Sequence, residues 1–191
     1  MNETRQRLLE AARRCIREKG LAATTSREIT GAAGANLAAI TYHFGSKDRL
    51  VSDALLGELR AWLAPALEVL AGDADPATRT LTAIETLTAT FEQLRDEAPV
   101  YLEALVQAPR FSSLHEGVVG LWAELRRSMA EQIAVMVGDG VLPAWIEPDA
   151  MAGLLVAVAN GLVLHVTVDT DGPELRTMAG QFGGLLLAAR G

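Results

Sequence analysis

The chain has 191 residues, enough for one domain or two small ones whose core needs neither metal nor disulfide. Half of it is apolar and 21 % charged, which excludes wholesale disorder, and a lone cysteine, Cys15, excludes a disulfide framework or a multi-thiolate zinc site. The net charge of −7 is divided unevenly, with nine Lys and Arg against five Asp and Glu in residues 1–50 and eight against nineteen in the rest, as in a basic, polyanion-facing module joined to an acidic one.

The punctuation is helical throughout, and the expected fold class is all-α with about nine helices. Leu8, Leu9, Ala12, Cys15 and Ile16 recur at helical spacing, and Gly20 stands where a left-handed cap ends that helix. Thr25 and Glu28 form a capping box for a short second helix that turns Ile29, Ala32 and Ala33 inward. Gly34 interrupts it, and Asn36 caps a third helix running to about His43. Ser46 caps a fourth, from Lys47 towards Ala71, which Pro65 is expected to kink or split.

Asp75 and Pro76 open a fifth helix to about Glu97, and Pro99 and Pro109 bracket a short sixth. Ser113 and Glu116 read as a second capping box, for a helix to about Val137. Pro148 and Pro173 each begin a further helix, the last ending near Ala189. Residues 150–168 are apolar and about long enough to cross a bilayer. Acidic residues flank them (Glu147, Asp149, Asp169, Asp171) with no Lys or Arg anchor, so a buried or interface helix and no membrane partner are expected. The N-terminus has charges throughout and no apolar stretch of a signal peptide, so a cytoplasmic location is expected.

The first fifty residues carry the chemistry. Two short helices joined by a tight glycine turn have the outline of a helix-turn-helix. Lys47 lies in the first turn of a helix, where free N–H groups and the dipole attract anions, and Thr25 marks the equivalent place on the second helix. With the Tyr42 phenol they form a candidate phosphate clamp.

The segments AARRCIREKG (11–20), TTSREITGAAGAN (24–36) and YHFGSKDRL (42–50) resemble the DNA-binding domain of the TetR (tetracycline-repressor) family. The resemblance runs from about Arg7 to Leu50 and implies a helix-turn-helix over residues 25–44, with helix 37–43 entering the major groove of double-stranded operator DNA. It places Thr25, Tyr42 and Lys47 on phosphates and turns Leu37, Ala38, Ala39, Thr41 and His43 towards the bases, with Ser26 and Asn36 completing the DNA-binding set. Thr30, Gly31, Ala35 and Asn36 depart from the usual pattern. The recognition helix also has no Arg, Lys or Gln, so bidentate base readout is unavailable on it.

The resemblance divides the chain into a DNA-binding domain at 1–46 and a helical effector-binding and dimerisation domain at 47–191. Gly153, Ala157 and Gly161 in helix 8, and Gly180 and Gly184 in helix 9, recur every four residues. Each helical glycine costs about 1 kcal/mol relative to alanine, which a close helix approach would offset. A homodimer through helices 8 and 9 is expected; tight packing inside one subunit is the competing explanation. Trp62, Phe91, Tyr101, Phe111, Trp122 and Met129 are candidates to line an apolar ligand cavity, with Arg126, Asn160 and His165 (and Glu103 and Gln107) as polar anchors.

No nucleophile–base set, phosphate loop or metal-ligand spacing is recognisable, so no cofactor, metal or enzymatic activity is expected. The expected function is a ligand-responsive, DNA-binding transcriptional repressor acting as a dimer on a near-palindromic operator. The competing class is a helical carrier or enzyme whose N-terminal bundle is only structural; binding to duplex DNA separates the two.

Overall fold

The computed structural model describes residues 3–93 and 95–188. Among them are nine α-helices: α1 (Glu3–Lys19), α2 (Ser26–Ala33), α3 (Leu37–Phe44), α4 (Lys47–Leu70), α5 (Pro76–Gln93), α6 (Ala98–Gln107), α7 (Ser112–Gly138), α8 (Pro148–Val168) and α9 (Leu175–Ala188). The helix end expected at Ala189 lies outside the described residues.

Most caps follow the sequence reading. Gly20 has φ +81° and donates its N–H to the Ile16 carbonyl at 2.8 Å, and Gly34 closes α2 at φ +60°. Side-chain oxygens of Asn36, Ser46 and Asp75 accept from the backbone of Ala39, Arg49 and Thr78 at 2.9, 3.0 and 3.0 Å.

Four expectations are corrected. Pro65 does not split α4, which continues to Leu70. The fifth helix stops at Gln93, and Arg95–Glu97 form a separate 3-10 turn. The second capping box does not form: α7 already begins at Ser112, and the Ser113 hydroxyl donates instead to Ser52 Oγ at 2.9 Å. Ser52 is almost fully buried on α4, and a buried hydroxyl without a partner costs more than an exposed cap gains. The last helix begins at Leu175, two residues beyond Pro173.

The chain forms two compact units, one of Met1–Arg60 with Pro99–Gly120 and one of Ala61–Ala98 with Leu121–Gly191. The boundary expected at 46 falls inside the first. In that unit α1 packs on α2 and α3, and Leu8, Ile16, Ile29, Leu50 and Leu114 are fully buried. Cys15 belongs to this core, and burial, reinforced by the nearby Glu18 and Glu28 charges, pushes its thiol pKa up, as for an inert packing residue.

Chain-distant residues complete the unit. Both carboxylate oxygens of Glu103 on α6 accept the Leu21 N–H, at 3.0 and 3.1 Å, just beyond the cap of α1. Glu103 therefore anchors the turn leading into α2. In the second unit α5, α7, α8 and α9 surround a core that includes Met129, Ile133 and Val163.

Candidate nucleic-acid interface

The α2–α3 pair exposes one narrow face. On α3, Leu37, Ala38, Thr41 and Tyr42 are exposed, while Ile40 and Phe44 are buried and Ala39 and His43 are half-buried. These exposed positions recur at one and four residues, as one side of a helix requires. Tyr42 is 83 % exposed, so it is not a packing residue; its ring meets His43 edge-on at 4.8 Å. Ala39 and His43 contribute to this face only at its margin.

Lys47 links the two helix starts. Its ammonium donates to the Thr24 carbonyl at 2.5 Å, which holds the first residue of α4 beside the N-terminus of α2. Two N–H groups of the ammonium remain for other acceptors. Thr25 is positioned differently from expectation. Its hydroxyl accepts from Glu28 N–H at 3.3 Å and donates to Glu28 Oε2 at 2.9 Å, so it is spent on the capping box and is not a free phosphate donor.

Glu28 is itself held by the Lys19 ammonium, which with the Thr25 hydroxyl and amide lowers its carboxyl pKa from 4.5 to about 2. Its folded pKa lies below the unfolded one, so the box contributes fully above about pH 4.5 and is lost as the pH falls through about 2. Ser26 is half-buried in the first turn of α2, and Asn36 is exposed but has its side-chain oxygen committed to capping α3.

Several basic groups of this unit are already matched to carboxylates. Arg5 and Arg49 both meet Asp53 at 2.9 Å, and Arg13 meets Glu58 at 3.9 Å. Arg27, in the first turn of α2, is exposed, and its guanidinium forms no ion pair among the described residues. The sequence reading passed over it. The signal was present as the one guanidinium between the two capping-box residues, where a helix N-terminus already attracts anions.

The cavity residues separate. Within the second unit a small apolar cavity of about 50 Å³ is lined by Phe91, Met129, Leu155, Val163, Leu175 and Phe182, among others. Its lining has one polar side chain, Thr88, whose hydroxyl donates to the Ile84 carbonyl at 2.7 Å. Trp62 is buried behind Phe91, edge-on at 6.3 Å. Trp122 is half-buried on α7, and Asn160 donates to the Val156 carbonyl of its own helix at 3.0 Å.

Tyr101 and Phe111 belong to the first unit, buried and half-buried respectively. The expected anchors Arg126 and His165 are exposed, Arg126 paired with Asp149 at 3.1 Å and His165 3.7 Å from Asp169. Both side chains meet solvated partners there, and neither lines the cavity.

Helix α8 is long and apolar enough to cross a membrane by length and composition, yet only 17 % of that stretch is buried within the chain. Its exposed residues include Leu154, Ala157, Gly161, Leu164 and Val168, alternately three and four apart, and Gly180, Gly184 and Leu185 are exposed on α9. A Cβ at position 161, 180 or 184 meets nothing within 4 Å, so packing inside the chain does not account for these glycines. Gly153 differs: it is half-buried, and its Cβ would meet Arg126 Cδ at 3.8 Å. The apolar 3-4 stripe was readable in the sequence, but attention to small residues alone hid it.

Residues 8–54 match the family described as "Bacterial regulatory proteins, tetR family", and residues 76–182 match "BetI-type transcriptional repressor, C-terminal". The HTH-type transcriptional repressor KstR2 of Mycobacterium tuberculosis is 32 % identical over 123 residues, covering 61 % of this chain and 60 % of that protein. The chain thus spans about three fifths of the length of that curated relative. Among solved structures, a TetR transcription regulator from Haloarcula marismortui ATCC 43049 has a TM-score of 0.83 at 21 % identity, covering 99 % of this chain and 98 % of that one. A transcriptional regulator from Rhodococcus sp. Rha1 has a TM-score of 0.72 at 26 % identity, covering 96 % of each chain. With its helix-turn-helix and more than half of its length matched in this way, the chain belongs to the tetR family of bacterial regulatory proteins.

Proposed function

We propose that the protein is a ligand-responsive transcriptional repressor that acts in the cytoplasm, binds a near-palindromic operator as a homodimer, and is released from it by a small, apolar effector. The observation that carries this reading is the exposed face of α3 beside Lys47, where two helix N-termini meet an ammonium group. Such an array binds phosphate oxygens and sets a protein's register on the duplex. The family relationship and the KstR2 likeness support repression as the outcome.

A second copy is supported by the apolar stripe of α8 together with the open glycine surface of α9. Two recognition helices must then reach successive major grooves about 34–36 Å apart, which a two-fold dimer accomplishes. The effector reading is supported by the apolar cavity among α5, α7, α8 and α9.

Phosphate anchoring is tested on specific and random duplexes in parallel. Tyr42→Phe deletes only an exposed hydroxyl and is expected to weaken both by about 2- to 10-fold, because phosphates carry no sequence information. Lys47→Ala is expected to lower the log–log salt slope by about one. Because Lys47 also holds the Thr24 carbonyl, its thermal midpoint is measured alongside. An unchanged slope in a folded Lys47→Ala protein would remove the ammonium from the interface.

A further inference from the structure

We infer that each operator half-site presents thymine methyl groups to Leu37, Ala38 and Thr41, so that α3 reads DNA by apolar contact where other recognition helices use charged or amide hydrogen bonds. This rests on the DNA-binding reading above and specifies the substrate of that same surface.

Three observations lead there. Leu37 is 49 % exposed on the face that α3 offers, adjacent to exposed Ala38 and one turn before the Thr41 methyl. Covering a large aliphatic side chain at this position with an apolar partner is favourable. In the major groove, that partner on a base edge is the C5-methyl of thymine.

The groups that would grip a base edge with two hydrogen bonds are committed or absent on α3. Two-pronged recognition of adenine needs both a carbonyl oxygen and an amide group, and Asn36 Oδ1 already accepts from Ala39 N–H at 2.9 Å. His43 is half-buried, edge-on to Tyr42 at 4.8 Å and to Phe44 at 6.4 Å. The exposed positions of α3 carry no guanidinium or ammonium to grip guanine. Cytosine would offer an amino donor that this face has no carboxylate to accept, so A·T pairs with thymine towards Leu37 are the complementary surface.

The test uses the full-length protein and duplexes selected from a random library. Uracil differs from thymine only by the missing methyl, so each thymine of the selected half-site is replaced by uracil in turn. At the positions facing α3, affinity is expected to fall about fourfold per methyl removed. The same replacement in the flanks should change nothing. Leu37→Ala, at a half-exposed position that leaves the core untouched, should abolish the discrimination at one position and keep it at the others.

Selected half-sites without thymine, or uracil duplexes bound as tightly as thymine ones at every position, would overturn the inference and leave DNA binding standing. A protein that enriches no duplex above the starting library overturns both.

Discussion

Replacing Gly161 by Leu is expected to yield a well-folded chain that no longer dimerises and no longer holds its operator. Position 161 lies mid-way along the exposed α8 stripe, and a Cβ there meets nothing within 4 Å, so the new side chain creates no clash inside the subunit. Leucine is also a far better helix former than glycine, by roughly 0.5–1 kcal/mol, so thermal stability should hold or rise per chain. What the substitution removes is the close approach of a second copy. Two half-sites engaged by one linked molecule gain about 10²- to 10⁴-fold over a single engagement, and that factor should be lost. Light scattering reads the mass, circular dichroism the fold, and a gel shift the operator affinity. A wild-type chain that is monomeric at micromolar concentration, or a Gly161→Leu chain that remains dimeric, would refute the α8–α9 interface. Leu164→Glu, on the same stripe, is expected to do the same by placing an unpaired charge in an apolar contact.

A ligand that enters the α5–α9 cavity is expected to weaken operator binding by about 5- to 150-fold, and operator DNA to weaken that ligand's binding by the same factor. The cavity of about 50 Å³ is much smaller than the roughly 300–1,000 Å³ of established small-molecule sites. An effector must therefore move the walls around Phe91 and Met129, and its binding differs between states for that reason. No charged side chain lines the space, so uncharged apolar molecules should bind and their carboxylate analogues should not. Trp62, packed edge-on against Phe91, gives a fluorescence readout. Titrations with and without operator settle the matter: equal affinities in the two would show the cavity is not the regulatory site.

The helices were legible because local signals decide them. Gly20, Thr25, Asn36, Ser46 and Asp75 each cap through atoms within a few residues, and their structure follows from their sequence. The capping role of Ser113 was misread because tertiary context outweighs local propensity. A buried hydroxyl on α4 claimed Ser113, and α4 runs on past Pro65 to Leu70. At the DNA-facing surface, motif resemblance found Tyr42 and Lys47. The resemblance also placed Thr25 on a phosphate, although the capping box read from the same residues pairs its hydroxyl with Glu28. The cavity was least legible. Aromatic residues mark cores as well as pockets, and the candidates Tyr101 and Phe91 belong to different units.

The Leu21–Glu103 clasp joins residues 82 positions apart, and it alters what counts as a transplantable DNA-reading part. On the ribosome, the helix-turn-helix emerges long before its partner does. From Arg60 to Gly120 another 60 residues must be made, about 3–12 s at typical synthesis rates, before the unit has all its pieces. Until then the Leu21 amide and the Ser52 hydroxyl lack the groups that satisfy them. A chimera that swaps only the first 50 or so residues between relatives therefore severs this unit, even when the join falls neatly between helices. One that also carries residues 99–120 keeps Glu103 and Ser113 with their partners and moves the reading head whole.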